Sequence, residues 1–221
     1  MSHLFAVDGA LCISLVERED RRTLLREQFA RMHLEVEFLL LERDAQDPQR
    51  GCFHSHQRCA RLLLERGWQR ALVLEDDVLF YDVGVQQVKQ INAYLRRGNP
   101  PVFYLGLILG KLWPTWRRGV VGCRAQGTHA YVLNREAAGI VVAEDYHGQG
   151  IDTFLKRRLP GRAAYPMLCQ QQPESVGKSD LDSGRGPGFV KDEAFWQRNR
   201  DKQYREWWQS LFLLLTPRSW G

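Results

Sequence analysis

The sequence predicts an α/β fold, in which a central, mostly parallel β-sheet is flanked by helices. Short apolar runs alternate with segments of helical hydrophobic spacing through the first two thirds of the chain, as is typical of β-α units. The chain has 221 residues, of which 44% are hydrophobic. A chain of that length buries about 70% of its unfolded surface. We therefore expect one large domain at residues 1–188 and a helical, amphipathic C-terminal tail at residues 189–221.

The first half of the chain predicts strands and helices in strict alternation. Apolar runs indicate the strands, and the apolar positions of the first helix, from Leu24 to Met32, follow helical spacing. Gly67 lies just past the second helix, where glycine commonly ends a helix. The predicted elements are a strand at 11–16, a helix at 21–32, a strand at 35–41, a helix at 54–65 and a strand at 71–74.

The second half predicts a similar alternation, interrupted by two loops. Residues 110–127 are rich in glycine, tryptophan and arginine, which favours an ordered loop, and residues 170–188 predict a long polar loop. The other predicted elements are a helix at 85–95, strands at 102–107 and 128–133, helices at 135–143 and 152–159, a strand at 164–168 and a helix at 192–215.

Composition narrows the functional classes. Thirty-one Lys and Arg residues against 26 Asp and Glu residues give a net charge of +5, which favours anionic partners such as nucleic acid, acidic membranes or phosphorylated small molecules. Five scattered cysteines without a C-x-x-C pair argue against a disulfide framework or a zinc ribbon, and favour a reducing, cytosolic compartment. Neither a signal-peptide pattern nor an apolar stretch of ~20 residues is present, so we expect a protein that is neither exported nor transmembrane.

Three consecutive acids, Glu75, Asp76 and Asp77, follow the apolar strand at 71–74. In open α/β sheets ligands bind beyond the carboxyl ends of the strands, where these acids are expected. Adjacent carboxylates repel one another, and a cation or basic side chains usually offset that repulsion. Mg²⁺ and Mn²⁺ take oxygen ligands and often bridge one or two carboxylates to phosphates. The alternative is a solvated acidic loop or helix start, because acids favour helix N-termini.

The strand and its acids, LVLEDDV at 72–78, resemble the metal-binding motif of glycosyltransferase family 25, which includes bacterial lipooligosaccharide galactosyltransferases and collagen galactosyltransferase domains. Further segments resemble the family in the same order, and the similarity extends over residues 11–175. These segments are CISLVEREDRR at 12–22, GCFHSH at 51–56, GTHAYVLNREAA at 127–138 and IDTFL at 151–155.

The resemblance implies an inverting sugar transferase with the A-type glycosyltransferase fold (GT-A, Rossmann-like), a UDP-sugar donor and Mn²⁺ or Mg²⁺. It implies that Asp77, together with Asp76, binds the ion that neutralises the leaving diphosphate. The implied donor-site residues are Ile13, Ser14, Leu15, Arg18, Arg21, Arg22, Ser55, His56, Glu75, Asp76, Gly127 and Thr128. Two groups of these residues have a structural alternative. Arginines at a helix start are common on protein surfaces, and Ser55 could cap a helix next to a His56 whose hydrogen bonds are made within the protein.

Inversion at an anomeric carbon requires a base that takes the proton of the acceptor hydroxyl. The resemblance places this base at Asp152, at the start of a late helix. Glu144 and Asp145 are nearby rivals, and Asp152 could instead only cap its helix. Many A-type transferases add a C-terminal histidine ligand, but the last histidine here is His147. Water or side chains could complete the shell of the ion, and the candidates are Gln170, Ser175 and Ser179.

The C-terminal segment has aromatic and apolar residues at helical spacing, among basic residues. Such a helix can lie at an anionic membrane interface or pack its apolar side against the domain. The aromatic and apolar positions are Tyr204, Trp207, Trp208, Leu211, Phe212 and Leu215.

The predicted function is transfer of a hexose, with galactose favoured, from a UDP-sugar to a glycan or lipid-linked glycan acceptor in lipooligosaccharide or surface-glycan synthesis. We expect this activity in the cytoplasm, with peripheral contact to the inner face of the membrane and without nucleic acid as a partner. Two alternatives remain. One is a metal-dependent phosphoesterase or nuclease, and the other is a non-catalytic module that binds a nucleotide sugar or an acidic polymer.

Overall fold

A computed structural model describes residues 4–173 and 191–215 of the chain. Most of the strands form one eight-stranded sheet in the order β2-β1-β3-β8-β5-β9-β7-β6, and β4 pairs with β10. The elements are β1 (Gly9–Leu15), α1 (Glu19–Arg31), β2 (Glu37–Leu41), α2 (Pro48–Glu65), β3 (Arg70–Glu75), β4 (Val78–Phe80), α3 (Val85–Gly98), β5 (Val102–Tyr104), β6 (Leu109–Pro114), β7 (Val120–Gln126), β8 (Ala130–Asn134), α4 (Arg135–Ala143), α5 (Ile151–Arg158), β9 (Gly161–Ala164), β10 (Cys169–Gln171) and α6 (Glu193–Leu215).

The predicted α/β fold with a mostly parallel sheet is confirmed. β1 runs parallel to β2 and β3, and β5 runs parallel to β9. Among the described strands of the large sheet, β7 and β8 run opposite to the other six, as the pairings of β3 with β8 and of β7 with β6 and β9 require. The carboxyl ends of β1, β2 and β3 therefore meet at one edge.

Two hydrophobic cores cover the two faces of the sheet. Val73 of β3 belongs to the core that contains Phe53 of α2, whereas Leu72 and Leu74 belong to the core that contains Leu25 of α1. Successive side chains of a strand point to opposite faces, so a strand that is buried on both faces reads as a continuous apolar run. This is why residues 71–74 are uniformly apolar.

The predicted loop at 110–127 is wrong, because β6 and β7 form an antiparallel hairpin there. Its glycines allow close packing within strands. The indole of Trp113 lies against Gly122, where a Cβ would collide with the ring, and Gly110 lies against the backbone of Ala125. Glycine in a strand often marks such a close approach.

α2 begins six residues before the predicted position of 54. The side chain of Asp47 accepts a hydrogen bond from the backbone N–H of Arg50 at 3.0 Å, and Pro48 occupies the first turn. An aspartate cap followed by proline is a favourable helix start. The segment from Gly51 to His56 therefore lies entirely within a helix, and not at the start of one.

The last predicted strand, at 164–168, is also misplaced. β9 ends at Ala164, and the chain continues through a cis Tyr165–Pro166 peptide bond into β10. β10 pairs with β4, directly after the three acids, and aligns Gln171 with Val78. Of the polar loop expected at 170–188, positions 174–188 lie outside the described residues.

The sequence left two alternatives for the C-terminal helix, contact with a membrane and packing on the domain. In the structure α6 packs on the domain. Trp196 is buried, and the side-chain amides of Asn199 and Gln203 donate to the backbone oxygen of Leu107. Trp207 stacks on Tyr165 with ring centroids 5.0 Å apart. The expected domain division at residue 188 falls outside the described residues and stays a prediction. Among the described helices, none is long and apolar enough to cross a membrane.

Candidate functional site

The three acids lie in a cavity at the carboxyl ends of β1, β2 and β3. The cavity volume is about 140 Å³, below the ~300–1,000 Å³ of typical ligand pockets, so the cavity would enclose only part of a drug-sized ligand. The lining residues are Ile13, Ser14, Leu15, Arg21, Glu42, Arg43, Asp44, Pro48, Gly51, Cys52, Ser55, His56, Glu75, Asp76, Asp77, Gln171 and Lys191.

Asp76 and Asp77 have different surroundings although they are adjacent. Asp76 accepts a hydrogen bond from Nη1 of Arg21 at 2.8 Å, and both side chains are buried. Oδ2 of Asp77 accepts from the side-chain amide of Gln171 at 3.0 Å, whereas its Oδ1 is buried without a hydrogen-bond partner among the described residues. Burial and the charge of Glu75 raise the pKa of Asp77 to about 7. Of the two aspartates, Asp77 is therefore the one with an unused oxygen; Oε1 of Glu75 also lacks a hydrogen bond, but it lies 3.3 Å from Nε2 of His56.

Glu75 lies beside a buried histidine at ion-pair distance. Nε2 of His56 lies 3.3 Å from Oε1 of Glu75, and Nδ1 of His56 lies 2.9 Å from the hydroxyl of Tyr131. Burial would raise the pKa of Glu75, but the contacts with His56 and the hydroxyl of Thr128 lower it to about 2. Glu75 therefore stays ionised, and its negative charge acts on Asp77.

The predicted arginines divide into one that lines the cavity and two that do not. Arg21 lines it and binds Asp76. Arg22 donates to Oγ of Ser14 at 3.0 Å and to the backbone oxygen of Val16 at 2.8 Å, and so fastens the end of β1 to α1. Arg18 donates to Asp20 at 3.1 Å. Arg22 and Arg18 are thus occupied by the protein itself.

Ser55 and His56 line the cavity, and both project into it from the middle of α2. Ser55 is not a cap, because its Oγ donates to the backbone oxygen of Gly51 at 2.7 Å within α2. Gly127 and Thr128 lie outside the lining, and Thr128 contacts the cavity only through Glu75. The neighbouring His129 is fully buried, and burial lowers its pKa to about 4.

Asp152 lies in the first turn of α5 and outside the cavity lining. Its Oδ1 accepts a hydrogen bond from the backbone N–H of Thr153 at 2.6 Å, although Gly150 occupies the capping position. Burial raises the pKa of Asp152, and the charge of Glu75 adds to the increase. The charge of Glu75 thus raises the pKa of Asp152, although Asp152 does not line the same cavity.

The donor set for a divalent ion is small. Within residues 4–173 and 191–215, no three His, Cys, Asp or Glu side chains are grouped as metal ligands. Gln170, considered above as a ligand, instead accepts from the hydroxyl of Tyr81 at 2.6 Å, and Ser175 and Ser179 lie outside the described residues. The residues fit an ion that takes one or two carboxylate oxygens here and the rest of its shell from phosphate and water.

Sequence reasoning missed several cavity residues. Glu42, Arg43 and Asp44 follow β2, and the neighbouring position of β2 and β1 in a parallel sheet would have indicated them. Lys191 is 7% exposed and donates to Oε1 of Gln171 at 2.8 Å. No sequence pattern indicates Lys191, because it reaches the cavity through the tertiary structure alone.

No protein-family model matches the chain, and no curated protein matches it. Among solved structures, A197 from STIV aligns with 14% identity and a TM-score of 0.48, over 81% of this chain and 99% of that chain. A glycosyltransferase involved in glycosylation of the major capsid of PBCV-1 aligns with 13% identity and a TM-score of 0.41, over 71% and 80% of the two chains. Mannose-1-phosphate geranyltransferase from Thermus thermophilus aligns with 12% identity and a TM-score of 0.40, over 71% and 73%. Similarity at this level assigns no family.

Proposed function

We propose that this chain transfers a hexose, with galactose favoured, from a UDP-sugar to a hydroxyl of a glycan acceptor, and that it depends on Mn²⁺ or Mg²⁺. The observation that carries the proposal is Oδ1 of Asp77, a buried carboxylate oxygen without a hydrogen-bond partner among the described residues, at the ligand-binding edge of a parallel sheet. An unused buried acceptor is costly unless a ligand satisfies it.

The charges of the cavity support a cation as that ligand. Its lining carries the five carboxylates of Glu42, Asp44, Glu75, Asp76 and Asp77, against the three cations of Arg21, Arg43 and Lys191. This excess of negative charge would repel a diphosphate. A divalent ion at Asp77 reverses the local sign, and it supplies the Lewis acid that stabilises a diphosphate leaving group.

The donor and acceptor would approach from different sides. The end of β1, at Ile13, Ser14 and Leu15, offers backbone groups to the nucleotide, and Arg21 and Lys191 stand near the acids for the phosphates. Asp152 is proposed as the base for the acceptor hydroxyl on the motif resemblance, and burial together with the charge of Glu75 raises its pKa, which makes its carboxylate a stronger base. Membership of glycosyltransferase family 25 and a lipooligosaccharide acceptor belong to the same proposal, and they rest on the motif resemblance.

A lipid-linked acceptor would bring the enzyme to a membrane surface. Trp207 is occupied by its stacking on Tyr165, whereas the neighbouring Trp208 is 62% exposed. We therefore propose that membrane contact, if the acceptor is a lipid, uses Trp208 together with basic residues of α6 such as Arg205.

The decisive experiment measures release of UDP from a panel of UDP-hexoses with Mn²⁺, with Mg²⁺ or with a chelator. We expect ion-dependent release that is fastest with UDP-galactose, and its loss in Asp77→Asn. Asp20→Asn is the matched control, because Asp20 is an exposed acid in the first turn of α1 that does not line the cavity and whose described contacts are with Arg18 and Arg21. Absence of both binding and release for every UDP-sugar would remove the proposal.

A further inference from the structure

A second concave surface of the molecule is strongly basic. This basic groove has a volume of about 570 Å³, within the range of ligand pockets, and it shares no lining residue with the acidic cavity. The side chains that give it its character are Trp113, Arg124, Lys156, Arg157, Arg158 and Arg162.

Strand register places the groove residues of the sheet in two rows. Trp113 of β6 is opposite Gly122 of β7, and Gly122 is opposite Arg162 of β9. Lys111 of β6 is opposite Arg124 of β7, in the next row. Residues two apart on a strand share a face, so the tryptophan and these three cations lie on the same face of the sheet.

The cations of the groove are brought together without a structural reason for their sign. Like charges directly opposite on neighbouring strands destabilise a sheet, and both Lys111 and Arg124 are exposed. The helix dipole explains basic residues in the last turn of α5, but it does not explain those on the strands. Neither the five cations that line the groove nor Lys111, opposite Arg124, forms an ion pair with a carboxylate of residues 4–173 or 191–215. The five lining cations are Arg124, Lys156, Arg157, Arg158 and Arg162.

Trp113 adds an aromatic surface to the charge. Its indole lies against Gly122, which leaves no room for a Cβ, and 40% of the residue is exposed. An exposed indole face stacks well on the C–H face of a sugar ring. Guanidinium groups beside it bind carboxylate or phosphate oxygens in pairs. A concave groove admits a chain, whereas a flat bilayer would contact only its rim.

We propose that the basic groove binds an anionic saccharide, a sugar chain that carries carboxylate or phosphate groups. Trp113 stacks on one sugar ring, and Arg124 and Arg162, on the next two strands of the sheet after that of Trp113, bind the anionic groups. The groove lies at the C-terminal end of α5, and Asp152 lies at the opposite end, about 9 Å away along the helix axis. The binding requires neither donor nor metal, so it does not depend on the proposed transferase activity.

The test is calorimetric titration of the full chain with an oligogalacturonate hexasaccharide, which carries one carboxylate on each ring. The double variant Arg124→Gln/Arg162→Gln should weaken binding about tenfold or more, since it removes two charge-assisted contacts. Arg96→Gln/Arg97→Gln is the matched control, because it removes the same charge from exposed positions in the last turn of α3. The control should leave the affinity within about twofold. Equal weakening in both double variants would overturn the proposal.

A second arm separates sugar recognition from general attraction of anions. Trp113→Leu should weaken hexasaccharide binding about tenfold and leave binding of inorganic phosphate unchanged, with folding checked by thermal unfolding. Neutral maltohexaose should bind far more weakly than the anionic chain. If a six-nucleotide oligouridylate or phosphatidylglycerol vesicles bind through Arg124 and Arg162 as tightly as the hexasaccharide, the saccharide assignment is wrong.

Discussion

The side-chain amide of Gln171 donates a 3.0 Å hydrogen bond to Oδ2 of Asp77, although 94 residues separate the two in the chain. The pairing of β10 with β4 creates this contact, because it sets Gln171 beside the residue that follows Asp77. The same Gln171 accepts a hydrogen bond from Lys191. One amide thus orients the carboxylate proposed to hold the ion and the lysine proposed to face the phosphates.

Replacing Gln171 with leucine should weaken Mn²⁺ binding about tenfold, because residues that orient a metal ligand typically contribute 10–100-fold to affinity. Titration of Mn²⁺ followed by electron paramagnetic resonance measures this directly. Gln172→Leu is the control, since Gln172 reaches Asp77 only through its backbone N–H. Unchanged Mn²⁺ affinity in Gln171→Leu would show that Asp77 needs no such support.

The contact between His56 and Glu75 predicts a large effect on stability. His56→Phe leaves the partly buried Glu75 carboxylate without its histidine and the hydroxyl of Tyr131 without its 2.9 Å partner. The free energy of unfolding in urea should fall by about 2–4 kcal/mol, since each orphaned buried polar group costs ~1–3 kcal/mol. Tyr131→Phe removes only the second contact and should cost about 1 kcal/mol. Equal losses in the two variants would mean that His56 contributes nothing through Glu75.

The buried His129 predicts a pH dependence of stability. Burial lowers its pKa in the folded protein to about 4 from the ordinary 6.5. Between pH 4 and pH 6.5 the unfolded chain therefore binds a proton that the folded protein does not bind. Stability is therefore lost as pH falls through 6.5 toward 4, by about 2 kcal/mol at pH 5 from this group. Urea unfolding at pH 7 and pH 5 measures the loss.

Other groups also titrate in that pH interval, so the wild type is compared with His129→Gln. The variant lacks the ionisable ring, and its loss of stability between pH 7 and pH 5 should be smaller than that of the wild type by about 2 kcal/mol. Identical losses would mean that His129 takes up its proton inside the folded protein at an ordinary pKa.

Two glycine-to-alanine substitutions should change the free energy of unfolding in opposite directions. Gly122→Ala places a Cβ inside the indole of Trp113, and overpacking of this kind costs about 1–3 kcal/mol. Gly139→Ala meets nothing within 4 Å and lies in the interior of α4, where alanine is favoured by about 0.8–1.0 kcal/mol. Urea unfolding should show the first variant destabilised and the second stabilised. A neutral Gly122→Ala would mean that the indole moves away at no cost.

Trp208 provides a test of the proposed membrane contact. Trp208→Ser should reduce sedimentation with phosphatidylglycerol vesicles severalfold, because an interfacial tryptophan is lost from an exposed position. Trp116→Ser, at a fully exposed position after β6, is the matched control. If Trp116→Ser reduces sedimentation more than Trp208→Ser does, the β6–β7 hairpin and not α6 contacts the lipid.

The sequence predicts the structure most accurately where local chemistry decides it. The predicted helix at 135–143 has the observed bounds, and in the structure Oδ1 of Asn134 caps it by accepting a hydrogen bond from the backbone N–H of Ala137. The prediction is least accurate at residues 110–127, where the glycine content favours a loop and the structure has two strands. Gly122 and Gly110 are needed because the indole of Trp113 and the backbone of Ala125, each on the neighbouring strand, lie against them, and a local pattern contains no information about those neighbours.

The sequence by itself determined the α/β class and the edge of the sheet where the acids lie, since both follow from the period of hydrophobic residues and from an apolar strand that ends in carboxylates. Only the tertiary structure distinguished the three acids. Arg21 donates to Asp76 and the ring of His56 lies 3.3 Å from Glu75, whereas Oδ1 of Asp77 is buried with neither a hydrogen bond nor an ion pair among the described residues. Burial and opposing charges set these differences, and both arise from segments that are distant in the chain and meet only when it folds.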